Sequence, residues 1–382
     1  MNPKNLAIAV TMWWITAVLT ALPANAQHGN VGQVFTMTND PAGNSVLVFN
    51  RAADGSLTSG PAVPTGGLGT GGMEPDFGLA NAHALATSAD RRFLFVVNPG
   101  SNDISLLSVK KEGLTLLDRV SSGGTLPISV AVSGNLLYVL NAGGDVGASD
   151  NITGFTITPQ GLLSELSGSN RPLSASVTNP AQIGFSPDGK VLIVTERVAN
   201  NIDTYMVGKD GLATGPSVTP DDAQNPFGFY VANGNQIFIS DDFNDAVGEG
   251  SLSSYLVFDD GSLQLVSSAV MSGESGACWV VVSQDGRFAY VTNTVSSTVS
   301  VYKIDTQTAS VTFADSATSF ASPTDLDFSG DGRLLYVLNP DQHAQASPGI
   351  NVFSVNKKDG TLKPLAGGVS GLPTSVDGLV AF

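Results

Sequence analysis

Tyr290-Val291-Thr292-Asn293 is one of seven apolar strands in this chain that end in an amide or an acid. The others read Val34-Phe35-Thr36-Met37-Thr38-Asn39, Phe95-Val96-Val97-Asn98, Tyr138-Val139-Leu140-Asn141, Ile193-Val194-Thr195-Glu196, Phe238-Ile239-Ser240-Asp241 and Tyr336-Val337-Leu338-Asn339. From Asn39 to Asn339 six intervals cover 300 residues, a mean of 50. That spacing fits a four-stranded propeller blade and is too long for a leucine-rich repeat. The series predicts an all-β fold: a seven-bladed β-propeller with four-stranded antiparallel blades.

Around each repeated strand the rest of the blade can be filled in. A short apolar strand and a tight turn precede it, as in Ile183-Gly184-Phe185-Ser186-Pro187-Asp188-Gly189-Lys190. A polar loop follows, then an alternating strand such as Val299-Ser300-Val301-Tyr302-Lys303-Ile304, then another Asp-Gly turn at Asp54-Gly55, Asp210-Gly211, Asp260-Gly261 or Asp359-Gly360. Glycine supplies the positive φ that two-residue hairpins need. The first copy lacks an opening strand, whereas residues 373–382 look like an opening strand with nothing after it. The C-terminal strand is therefore expected to enter the first blade and close the ring, which removes exposed sheet edges.

Residues 1–26 read as a secretory signal, with Lys4 as the positive start, an apolar run and Ala24-Asn25-Ala26 before a cut at Gln27. The expectation is an exported protein, periplasmic or extracellular, whose residues 27–382 form one domain. The 382-residue chain carries a net formal charge of −16, and cleavage would leave 16 basic against 33 acidic residues, since the signal holds Lys4 and no acid. Such a balance argues against nucleic acid and anionic membrane surfaces as partners, and no membrane insertion is expected. One cysteine, Cys278, excludes an intrachain disulfide. The Gly- and Pro-rich stretch 58–78 reads as a long loop between the first two blades.

Tight hairpins on one face leave the variable connections together on the other, around the channel mouth, where function is expected. The repeat unit, with its Ser-Pro-Asp-Gly-Lys turn at residues 186–190 and its Tyr-Val-Thr-Asn strand, resembles the lactonase family of seven-bladed propellers, which includes 6-phosphogluconolactonase and carboxymuconate lactonising enzymes. It also spells the YVTN repeat of exported propellers. The resemblance covers the whole mature chain and implies lactone hydrolysis. Family members open the fourth blade with Gly-Pro-Arg-His and follow with a strand running into Glu. Here the equivalents are Asn179-Pro180-Ala181-Gln182 and Glu196, so the glutamate matches while Ala181 and Gln182 replace the arginine and histidine.

On that basis Glu196 is expected as the water-activating base, with Arg197 and His83 as polar partners. Gln182, Asn141, Asn293, Trp279 and Asp325 are expected to hold the substrate. The acidic loop Asp241-Asp242-Phe243-Asn244-Asp245, with Glu249, offers the oxygen ligands that calcium takes, without the spacing of a calcium-loop motif. His343 reads as solvated and His28 as part of the new N-terminus. Two readings stay open: a hydrolase of a small sugar lactone or cyclic ester, and a non-catalytic propeller binding a glycan or a protein partner through its acidic face. Export and the acidic rim both disfavour a phosphorylated substrate.

Overall fold

The computed structural model describes residues 30–72, 83–319, 322–340 and 347–382. The signal segment 1–26, His28, His343 and part of the loop 58–78 lie outside them. Seven antiparallel sheets follow one another along the chain, with no α-helix among the described residues and no helix long and apolar enough to cross a membrane. Blades 2 to 7 open on inner strands Leu85–Thr87, Pro127–Ser133, Pro180–Phe185, Pro226–Ala232, Ala277–Val282 and Leu326–Phe328. The inner strand of blade 1 is Asp377–Ala381, paired to Gly32–Met37 in the register Val34↔Ala381 and Phe35↔Val380. Ring closure by the C-terminus is thus present, and the backbones of Gln33 and Phe382 exchange both N–H bonds at 3.0 Å.

The repeated Tyr-Val-Thr-Asn strand works position by position. Its tyrosine reaches the third turn of the next blade: Tyr138 donates to Gly211 O at 2.8 Å, Tyr290 to Gly360 O at 2.9 Å and Tyr336 to Gly55 O at 3.1 Å. Its hydroxyl residue reaches the next inner strand or its approach, as Thr195 does at Phe227 O, Ser240 at Cys278 O and Thr292 at Thr324 O. Its amide turns back into its own blade, Asn293 Nδ2 donating to Thr298 and Ser300 and Asn98 Nδ2 to Asp103 and Ser105. The valines fill the core between neighbouring blades. Most of the polar groups buried at these joints thereby find hydrogen-bond partners.

Inner strands splay too far apart to form ladders, so side chains span the gaps. Gln182 of blade 4 donates to Phe229 O and accepts from Phe229 N, both at 2.8 Å, in blade 5. Across the closing seam Asp325 and Asp327 of blade 7 accept the N–H groups of Leu379 (2.7 Å) and Ala381 (2.8 Å). One departure from the expected four strands occurs in blades 1 and 3. Their outer strands are split into Leu57–Ser59 with Val63–Pro64, and Leu163–Glu165 with Arg171–Pro172. Gly60-Pro61 interrupts the first, and a turn through Gly168 (φ +75°) interrupts the second. Proline cannot donate to a ladder and glycine weakens one.

Candidate functional site

The inner strands of blades 2 to 7 are each entered through a left-handed residue: His83 (φ 62°), Leu126 (57°), Asn179 (50°), Asn225 (61°), Gly276 (73°) and Ser322 (56°). These entries, with the loops after the repeated strands, surround the channel mouth. Between blades 4, 5 and 6 they bring together Arg197, Asn225, Asp242, Asn244, Asp245, Cys278 and Thr294. The Arg197 guanidinium lies over the Phe227 ring, 4.3 Å from its centroid, and Nε donates to Asn225 Oδ1 at 3.1 Å. Asn225 Nδ2 donates in turn to Asn244 Oδ1 at 2.7 Å. Asp242 is 4.0 Å from Arg197, and its carboxyl also meets that of Asp245. Burial first, then the Asp245 charge, raises Asp242 to about 7 against the pull of Arg197. Near neutral pH it is therefore only partly ionised.

Asp245 arrives there on a strained turn. Phe243, Asn244 and Asp245 have φ of 54°, 53° and 62°, three successive non-glycine residues in the left-handed region. Such a conformation costs roughly 1–2 kcal/mol per residue for L side chains and concentrates at functional sites. Cys278 lies behind these groups as a buried thiol that accepts from Thr294 Oγ1 at 3.0 Å, and burial holds its pKa up, so it stays protonated. It is packed, not reactive.

The other expected site residues are placed differently. Glu196 has no exposed surface, receives the N–H of Ser174 at 2.9 Å and the Ser174 hydroxyl, and lies beside Asp203. It caps its blade as asparagine does in the sister repeats. Asn141 and Asn293 are wholly buried, Asn141 donating to Ser122 O and Asn293 to its own third strand. Trp279 is 1% exposed, its ring edge-on to Phe227 at 5.0 Å. Gln182 and Asp325 are the strand-to-strand braces already described. His83 opens on the channel, reaching past blade 3 so that Nδ1 lies 3.5 Å from Gln182 Nε2. The protein packed around the ring lowers its pKa, partly offset by a bond with the backbone of Ile183, so it is neutral at pH 7. The four acids expected to bind calcium do not gather. Asp241 is sunk beneath Ser251 and Ser253, Glu249 is exposed, and among the described residues no three His, Cys, Asp or Glu groups converge.

Asp203, buried against Glu196, is pushed up to about 8, by burial and then by the Glu196 charge. The native state therefore keeps a proton that the unfolded carboxyl, with its usual value near 3.8, has released. Stability from this pair is full below the unfolded value and is lost as pH climbs toward the folded one. Asp203→Asn, whose amide donates to Glu196 at any pH, is expected to raise Tm by a few degrees at pH 9 and to change it little at pH 4, measured by thermal melts. An equal shift at both pH values would contradict the shared proton.

Asn225, Phe227 and Thr294 complete the mouth and were not expected from sequence. Asn225-Pro226 repeats the Asn179-Pro180 entry of the preceding blade, and that repeat was the available signal. Against known proteins, the family model described as "Lactonase, 7-bladed beta-propeller" matches residues 42–177 and 255–376. A 6-phosphogluconolactonase of Pectobacterium carotovorum is 23% identical over 288 residues, 72% of this chain and 81% of that protein. Among solved structures, the periplasmic gluconolactonase of Pseudomonas aeruginosa superposes with a TM-score of 0.71 at 19% identity, covering 92% of this chain and 99% of that one. A Lactobacillus plantarum protein gives 0.71 at 16% identity, with 91% and 98% covered. At these identities the solved structures speak for the fold alone.

Proposed function

The chain belongs to the seven-bladed β-propeller lactonase family, and from that membership we propose that it hydrolyses a small, uncharged lactone at the mouth between blades 4, 5 and 6. The observation that carries the proposal is the contact of a proton-holding carboxyl, Asp242, with a second carboxyl, Asp245, beside the braced guanidinium of Arg197. Two carboxyls in unlike settings supply an acid and a base at the same pH. Asp245 is exposed and can meet water, whereas Glu196 cannot. We therefore assign the base to Asp245.

In the proposed reaction Asp245 takes a proton from water as the water oxygen bonds to the lactone carbonyl carbon. Charge gathers on the carbonyl oxygen, where Arg197 stabilises it. The ring C–O bond then breaks, and its oxygen receives the proton of Asp242. A hydroxy acid is released, and the proton held by Asp245 passes to Asp242 through their contact, which resets the pair. The ring-opened product carries a carboxylate that the substrate lacks, and the surrounding acids favour its departure.

Net charge of −16 and the carboxyls at the mouth disfavour a phosphorylated substrate. Assays across aldonolactones and simple alkyl lactones are expected to show hydrolysis above the spontaneous rate, with a higher kcat/KM for the unphosphorylated member of a matched pair. A panel in which no lactone opens faster than in buffer would sink the enzyme reading. Export by cleavage near Ala26 belongs to the same proposal, and N-terminal sequencing of the protein recovered outside the cytoplasm tests it.

A further inference from the structure

The opposite end of the channel holds a second set of groups that the reaction does not use. Three blades turn from inner to second strand through Ser-x-Asp-Gly-Lys/Arg: Ser186 to Lys190, Ser283 to Arg287 and Ser329 to Arg333, with Gly189, Gly286 and Gly332 at φ of 72°, 73° and 64°. Blade 2 has Ser88-Ala89-Asp90-Arg91-Arg92, so Arg91 stands where the turn takes glycine, at φ 57°. An arginine held in the left-handed region is strained, and such outliers point toward function.

Arg91 borders a cavity of about 240 Å³ together with Thr87, Tyr230, Gln284, Asp327 and Phe382. Its guanidinium lies against the Phe382 ring, 5.3 Å from the centroid, and among the described residues donates no hydrogen bond. The Arg91 charge reaches Asp327 without an ion pair between them, and the Asp327 oxygens accept the N–H groups of Phe328 and Ala381. Gly330 leaves the space, because a Cβ there would meet Arg91 Nη1 at 2.8 Å. Tyr230, 36% exposed, presents a phenol with no partner to the same cavity, and Gln284 closes one wall by donating to Gly330 O at 3.0 Å. The volume is below that of ordinary drug-sized sites, which begin near 300 Å³.

We propose that this cavity is a binding site for a small hydroxy acid, its carboxylate held by the Arg91 guanidinium and the Tyr230 hydroxyl. A planar guanidinium with free donors suits a carboxylate, which it engages through two parallel bonds. Asp327, which also borders the cavity, selects against multiply charged anions.

The competing role for Arg91 is structural, a cap on the Phe382 ring and a counter-charge to Asp327. Arg91→Gly restores the glycine that sister turns carry and separates the two. Calorimetric titration and thermal melts of the full chain with gluconate as probe, glucose as the neutral control and sodium chloride at matched ionic strength form the experiment. The expected result is saturable gluconate binding, weakened roughly tenfold or more in Arg91→Gly and roughly two- to tenfold in Tyr230→Phe, with the ligand-free Tm of Arg91→Gly at or above the parent's. No saturable binding to the parent, an equal response to chloride, or an Arg91→Gly protein that melts lower yet binds gluconate unchanged would each overturn the proposal. Binding is read without turnover, so this result and the lactone assays stand apart.

Discussion

Removal of residues 373–382 is expected to abolish the cooperative melt and drive the chain into aggregates. The segment carries Val376, Leu379, Val380 and Ala381, all buried against blades 1, 2 and 7. At about 1.5–3 kcal/mol for each large aliphatic side chain, their loss removes several kcal/mol from a fold whose net stability is of the order of 5–15 kcal/mol. Three further effects act in the same direction. The strand Gly32–Met37 becomes an open edge, Asp325 and Asp327 lose the N–H groups of Leu379 and Ala381, and Thr36 loses its acceptor at Asp377 O. Scanning calorimetry with light scattering measures the outcome. A truncated chain that melts like the parent would show that closure does not depend on this strand.

The second large effect concerns catalysis. Asp245→Asn is expected to lower kcat for lactone opening by roughly 10²–10⁴-fold, the range for removal of a general base, while leaving Tm close to the parent. Asparagine suits this position because it tolerates the left-handed backbone at φ 62° better than most residues, and the side chain is exposed. The same substitution should let Asp242 titrate lower, since the neighbouring charge that raises it is gone. The alkaline limb of the pH–rate profile, set by loss of the Asp242 proton, would move to lower pH. Glu196→Gln, by contrast, changes a buried cap and is expected to retain most activity. An Asp245→Asn protein with unchanged kcat, or a Glu196→Gln protein that folds and is inactive, would return the base to Glu196.

The ring was legible in sequence because its parts repeat. Seven copies at a mean of 50 residues fix blade number, and the orphan strand at residues 373–382 shows how the circle closes. Depth was not legible. Glu196 and Asp245 are both acids after an apolar strand, and only the fold puts one beneath Ser174 and the other at the mouth. Gln182 and Asp325 sit at the start of inner strands, where a substrate group or a brace looks the same in one dimension. The acidic loop 241–245 was visible, yet its charge suggested a cation because nothing local reveals that Asp241 turns inward to Ser251 and Ser253 while Asp242 meets Arg197. Arg91 was legible in principle, as the one basic residue at a glycine position in aligned hairpins.

The closing seam also imposes an order in time. Thr36 and Asp377, bonded in the finished ring, are 341 residues apart. At synthesis rates of roughly 5–20 residues per second, the strand Gly32–Met37 leaves the ribosome tens of seconds before its partner exists. Blades 2 to 7 need only neighbours within about 50 residues and can assemble as they emerge. Blade 1 alone waits for the end of the chain, so the oldest strand of the protein is the last to be buried, and the unpaired edge at Val34 and Phe35 marks the period when a chaperone has most to shield.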